Sequence, residues 1–357
     1  MKKRWYFILA LAFFFAALVL AWQQGILFPS RTSYPASLLP EVKLQRIPLA
    51  KPLSSWNSEI SSMAWYGDTL IIVPQYPWFS DEESSWDGNL YAINKESIVD
   101  HLSGKSSGKL TPQAVPLSAP GLVTAIEGFD GFEGIAFHGN QVYLTIEASD
   151  NRGATGYVVR GQIAPDLSTV TLDINTLQNL PAQANRTNKS DEVIFVAGEE
   201  VVTLYEVNGV DINTNPFARY FSLDLAGPFP RPMPHIEYRL TDATAPDEQG
   251  RFWVINIYWD GEPIYYSDSD PIALKYGEGP SHRRQENVER LLEMQYSPEG
   301  ITLTERPPIQ IKLNDLRIPR NWEALVRLDD DASGLHGFLL ATDKFPRTVF
   351  AFIADQE

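Results

Sequence analysis

The chain contains no cysteine, which excludes a disulfide framework, a thiolate nucleophile, a Cys-ligated zinc site and a lipid anchor on cysteine. Histidine is scarce. The five present (His101, His138, His235, His282 and His336) show neither HxH nor HExxH spacing, so a His-based zinc site is not expected. Positive charge is also in short supply: 29 Lys and Arg face 45 Asp and Glu, for a net charge of −16. Nucleic-acid binding needs clustered Lys and Arg to neutralise phosphates, so no nucleic-acid partner is expected. The acidic excess suits solubility or cation binding. Neither a GxSxG elbow nor a phosphate-cradling P-loop occurs, which leaves nucleophilic-serine hydrolysis without support.

What is present points to a large β-rich unit. The 357 residues suffice for one large domain or two ordinary ones, and 44% are hydrophobic, enough to build a core. Proline (26) and glycine (23) are plentiful, and strand-like runs outnumber helix-like ones, which predicts an all-β fold with many turns. At the start, MKKR precedes an uncharged apolar run from Trp5 to Trp22. Its length is at the lower limit for a membrane-spanning helix, and the basic flank keeps that end cytoplasmic. Val19 and Ala21 also suit a signal-peptide cleavage site. Residues 1–22 are therefore expected to be a transmembrane anchor or a signal peptide, residues 23–40 a linker, and the rest an exported, extracytoplasmic domain.

That domain, residues 41–357, carries an internal repeat. Apolar-turn-apolar hairpins begin at Glu59, Glu133, Glu192, Asp242 and Glu323 and close at Gln75, Glu147, Glu206, Asn256 and Asp343. GFEGIAFHGNQVYLTIEA (131–148) is the cleanest copy. A third run follows each hairpin: NLYAIN, GYVVRGQIA, ARYFSLDL, ERLLEMQYS and TVFAFIA. A fourth follows most: TPQAVPLS, TVTLDI, HIEYRL and PIQIKL. Four-stranded antiparallel units in series predict a β-propeller, with five blades counted and room for a sixth in the long intervals. The last unit lacks a fourth strand, and VKLQRIPL (42–49) is expected to supply it and close the ring. Residues 259–289 read as an insertion within the fourth unit, of the length that often covers a functional face.

In such a ring the openings of the first strands converge at one end of the axis. Glu59, Glu133, Glu192, Asp242 and Glu323 would form an inner ring, with Gln75, Glu147, Glu206, Asn256 and Asp343 beside it. Eight of these ten are carboxylates, which repel one another and raise each other's pKa unless neutralised. One solution is a hard cation. An all-oxygen set of Glu59, Glu133, Glu147, Glu192, Glu206, Asp242, Asn256, Glu323 and Asp343 suits Ca²⁺, or Mg²⁺, better than zinc. The other is a hydrogen-bonded network that ties strand starts together and repeats from unit to unit. Lys189, Arg251, Lys344 and Arg347 stand close enough in sequence to meet an anionic substrate, or to serve as salt-bridge partners. Asn185 and Asn188 head glycosylation-type triplets.

The C-terminal run NWEALVRLDD…GFLLATDKFPRTVFAFI resembles the end of the phytase-like propeller family, also described as having esterase-like activity of phytase. Asn321, Glu323, Asp343 and Phe345 match its pattern, while Ala324 replaces the usual Gly and Lys344 the usual Asn. GFEGIAF is similar to a motif of that family and of SdiA-regulated and gluconolactonase-like propellers. DATAPDEQGRFWVIN resembles a gluconolactonase-like blade at Asp242, Asp247, Gly250, Trp253 and Val254. The resemblance implies a calcium-associated, commonly exported propeller, with phosphoesterase or lactonase-like activity in some members.

Two functions follow as expectations. The first is a membrane-anchored hydrolase of a small phosphoester or other ester. In it a bound cation polarises the substrate and a carboxylate activates water, with Glu133, Glu323 and Asp343 at the centre. The second is a tethered, non-enzymatic binding or scaffold module for a protein, glycan or small ligand. Trp78, Phe79, Trp86, Trp259, Tyr265 and Tyr266 would supply its aromatic contacts.

Overall fold

The computed structural model describes residues 37–356 except 56, 78–87, 151–152, 263–265, 268 and 345–346. The anchor or signal segment, most of the linker, and Trp78, Phe79, Trp86, Tyr265 and Phe345 lie outside the described residues. Among those described, no helix is long and apolar enough to cross a membrane.

Short β-branched and aromatic runs separated by Gly-, Asp- and Asn-containing turns form strands in antiparallel sets. Two short strands come first, β1 (Glu41–Val42) and β2 (Gln45–Arg46). A first set holds β3 (Ile60–Tyr66), β4 (Thr69–Pro74), β5 (Gly88–Asn94) and β6 (Gln113–Ser118). The next holds β7 (Phe129–His138), β8 (Gln141–Asp150), β9 (Gly153–Ile163) and β10 (Val170–Pro181). Then come β11 (Asp191–Ala197), β12 (Glu200–Tyr205), the short β13 (Val207–Asn208), β14 (Phe217–Ser222) and β15 (Phe229–Pro232). They are followed by β16 (Ile236–Ala243), β17 (Arg251–Tyr258), β18 (Val288–Ser297), β19 (Gly300–Leu303) and β20 (Ile309–Ile311). The last set holds β21 (Trp322–Asp330), β22 (Leu335–Thr342) and β23 (Phe350–Ala354).

The first strand of each set packs on the first strand of the next, in the cycle β3–β7–β11–β16–β21 and back to β3. The chain therefore closes on itself around these strands. Closure is completed from the N-terminus, where β2 pairs antiparallel with β23, as VKLQRIPL predicted. β1 pairs in parallel with β20, so the same stretch also edges the preceding sheet. A parallel β6–β10 pair fuses the first two sets into one eight-stranded sheet.

The period-2 alternation of each strand sends apolar side chains to both faces, and each large apolar cluster draws on neighbouring sets. Ile60, Met63 and Leu70 meet Ala324, Leu339 and Phe350 in one cluster, while Ile255 and Leu291 meet Leu325 and Phe338 in another. Fully burying one such side chain contributes about 1.5–3 kcal/mol relative to leaving it exposed.

One expected strand assignment needs correction. HIEYRL is not a fourth strand, because β15 takes that place and Ile236–Ala243 is instead the first strand of the next set. The sequence reading started that set at Asp242, whose turn residues imitate the other hairpins. The inner strand begins six residues earlier, at Ile236.

Candidate functional site

The EGIAF hairpin forms as read: β7 and β8 pair with Gly131 opposite Glu147, and Glu133 sits at a register shift between Phe132 and Gly134. Glu192 and Glu323 sit at the same kind of shift in β11 and β21. A bulge turns one side chain out of the regular alternation, and here it turns each glutamate away from the apolar faces. Gly134 is required beside Glu133, since a Cβ there would lie 2.6 Å from the Glu192 carbonyl oxygen. Its absence lets β7 approach β11 closely at the axis.

These glutamates line a polar cavity of about 300 Å³. The acidic side chains on it are Glu59, Asp130, Glu133, Glu147, Glu192, Glu323 and Asp343; the basic ones are Lys189, Arg239 and Lys344. Gln75, Tyr76, Asn188 and Asn321 complete its polar wall. Two further acids reach its cations from outside the wall. Glu206 is fully buried and accepts from Lys189 at 2.9 Å and from the Arg239 guanidinium. Glu262, delivered by the loop after β17, lies 3.9 Å from both Lys189 and Arg239.

Arg239 is the residue the sequence reading missed. Its guanidinium donates to Glu323 and to Asn321, each at 2.9 Å, and lies 3.7 Å from Glu192. Its backbone is fixed by Asn256, whose amide donates to the Glu237 and Arg239 carbonyls while its oxygen accepts from Arg290. The Leu240 amide donates to the Glu206 carbonyl as the Phe132 amide donates to that of Gln75, so Arg239 stands where Gly131 stands in β7. The signal that could have revealed it is a lone arginine inside the apolar run IEYRL.

The same register removes Asp242 and Asn256 from the cavity wall. Asp242 lies three residues further along β16, buried between strands, where it accepts from Ser62, the Leu325 amide and the Ala243 amide. It ties three inner strands together. Among the basic residues singled out, Lys189 and Lys344 reach the cavity, Lys344 pairing with Glu59 at 3.0 Å. Arg251 instead pairs with Asp247 at a separate site, and Arg347 is exposed. Tyr266 packs against Tyr238 and Tyr258, and Asn185 and Asn188 are both exposed.

The carboxyl groups are held in different protonation states. Burial, then the charges of Glu147, Glu323 and Glu206, push Glu133 well above the usual carboxylate range. Burial and the Glu206 charge push Glu147 up to about 8. Glu323 is pushed up to about 7 by burial and held there by Arg239 pulling down and Asp343 pushing up. Burial likewise raises Glu192 and Glu262. Burial alone would raise Glu206 too, but Arg239 and Lys189 hold it below its ordinary value. Four buried carboxyl oxygens, one each on Glu147, Glu192, Glu206 and Glu262, have no hydrogen-bond partner among the described residues.

Among the described residues, these side chains are arranged around a basic residue and not around a cation site. The carboxylates converge on a guanidinium, and among the described residues no group of three or more Asp, Glu or His is placed to hold a metal. Arg239, Lys189 and Lys344 offset part of the repulsion.

No family model matches the chain, and no curated protein matches it. Solved structures do. One represents the GH130 family of mannoside phosphorylases, described as containing glycoside hydrolases that target β-1,2-mannosidic linkages in Candida mannan. It is 9% identical with a TM-score of 0.51, covering 90% of this chain and 99% of that one. A putative glycoside hydrolase from Parabacteroides distasonis is 12% identical, with a TM-score of 0.45 over 91% of this chain and 96% of the other. CoXyl43, a GH43 β-xylosidase/α-arabinofuranosidase from a compost microbial metagenome, is 11% identical, with a TM-score of 0.46 over 88% and 96%. The first likeness carries the fold: the chain shares that protein's β-propeller architecture. At such identity it speaks to fold alone.

Proposed function

We propose that the protein is a five-bladed propeller hydrolase that cleaves a glycosidic bond in a neutral, hydroxyl-rich substrate bound in the axial cavity. The observation that carries this is the charge imbalance of the cavity wall, seven acidic side chains against three basic ones, with the carboxyls held in unlike protonation states. The three basic groups of such a wall are already held by Glu206, Glu323 and Glu59, so it offers an anionic phosphoester little. It favours a neutral substrate whose transition state gains positive charge, as an oxocarbenium-like one does.

Glu133, kept protonated by burial and its acidic neighbours, donates a proton to the leaving oxygen. Glu323, oriented by Arg239 and ionising near neutrality, takes the proton of the attacking water. Asp343, held by the Asn321 amide at 3.0 Å, adds negative charge to the same cavity wall. Paired carboxyls with separated pKa values are the usual acid–base arrangement for this chemistry. An extracytoplasmic location is part of the proposal and rests on MKKR and the apolar run 5–22.

The test is a panel of p-nitrophenyl glycosides, phosphate and acetate, with and without EDTA. Turnover of a glycoside, insensitive to EDTA and lost in Glu133→Gln and Glu323→Gln, is expected. Phosphate release that needs Ca²⁺ would overturn the proposal in favour of the phytase-like reading. No turnover, with saturable binding of a sugar or peptide, would favour the binding module.

A further inference from the structure

We propose that a groove beside the axial cavity is a second subsite that takes an alkyl or aryl portion of the substrate. The substrate class is then a hydroxyl-rich group joined to an apolar one; this rests on the hydrolase reading of the cavity. The groove has a volume of about 400 Å³. Its apolar lining is Ile257, Tyr258 and Trp259, at and after the end of β17, with Ile318 and Pro319 before β21. Arg239, Asn321 and Asp343 line both spaces, so a molecule anchored in the cavity has its next atoms at the groove.

Two features mark the groove as a place for an apolar group. Trp259 and Ile318 are 41% and 43% exposed, among the few large apolar side chains left in solvent in the described residues. Isolated exposed apolar residues are ordinary, but two lining one concave surface continuous with a polar cavity are the usual make-up of a ligand site. Two ionic groups of the groove, Arg320 and Glu289, are engaged with each other. Arg320 donates to Glu289 and to the Lys312 carbonyl, each at 2.7 Å, and the Trp322 indole N–H donates to Glu289 at 2.6 Å. Away from the Arg239, Glu262 and Asp343 side, the wall left for a ligand is apolar, which rewards burial of carbon.

The test uses the full chain and a neutral apolar fluorophore, N-phenyl-1-naphthylamine. Saturable binding is expected to weaken about ten-fold in Trp259→Ala and in Ile318→Ser, from the loss of apolar contact. It should be unchanged in Glu133→Gln. For alkyl glycosides of increasing chain length, KM should fall with length in the native protein and stay level in Trp259→Ala, with kcat little changed. Fluorophore binding that is the same in both variants and the native protein overturns the groove proposal, whatever the activity. Binding lost in the variants, with no glycoside turned over, overturns the hydrolase reading and leaves the apolar subsite standing.

Discussion

Two charged cavities lie toward opposite ends of β16, and they are built on different principles. Near its start, the axial cavity sets seven acidic side chains against three basic ones, and Glu147, Glu192, Glu206 and Glu262 each keep a buried oxygen without a partner among the described residues. Past its end, a cavity of about 230 Å³ sets Asp247, Glu293, Asp329 and Asp355 against Arg251, Arg306 and Arg327. There every acid is paired: Asp355 accepts from Arg306 at 2.7 Å and from Arg327 at 2.6 Å, and Asp247 from Arg251 at 2.9 Å. A balanced network holds strands together. An unbalanced one, desolvated and sharing protons, costs stability and persists where chemistry needs shifted carboxyls.

The comparison can be broken most forcefully at Arg239. Arg239→Met leaves Glu192, Glu206 and Glu323 without their shared cation, and removing one partner of a buried ionic cluster costs about 3–5 kcal/mol. Urea unfolding at about pH 8 should show this loss, and a smaller one at about pH 5, where the carboxyls take up protons. An unchanged midpoint at both pH values would mean that the guanidinium is not what holds the cluster.

Glu133→Gln should leave the fold intact and lower turnover by about 10²–10⁴-fold, the usual worth of a positioned acid. Wild-type rates in that variant would remove Glu133 from the site.

The pH dependence of stability has a definite sign. Glu147 and Glu323 are raised from 4.5 to about 8 and about 7, so their contribution is complete below the unfolded value and lost as pH rises through the folded ones. Glu206, lowered, acts oppositely, its contribution fading as pH falls below 4.5. The melting temperature should therefore be higher at about pH 5.5 than at about pH 8.5, and Glu147→Gln should narrow that difference. A stability maximum on the alkaline side would contradict the burial of these groups as ionisable acids.

The smallest effect belongs to the balanced cavity. Asp355→Asn weakens two charge-assisted bonds to half-buried arginines, which should cost about 1–2 kcal/mol and leave turnover untouched.

How legible all this was depends on the residue. Glu133 and Glu147 could be read directly, because a two-residue turn at Gly139–Asn140 fixes the register and puts both carboxylates at the open end. Glu192 with Glu206 and Glu323 with Asp343 followed from repetition of that pattern. The fourth set was misread because DEQG offers a convincing turn and Asp242 a convincing acid, so the hairpin was aligned on them. A register error of a few residues moved Asp242 from strand interior to cavity mouth and hid Arg239. Glu262 comes from a long loop whose path no local pattern describes.

By itself, the sequence determined the strands, the turns and the placing of carboxylates at strand openings, because alternation and turn chemistry act between residues close in the chain. Only the tertiary structure decided which of those carboxylates meet and that a guanidinium lies among them. Their separation from Arg239 depends on ring closure and on the bulge and register of each inner strand, which are set by packing between segments from tens to hundreds of residues apart.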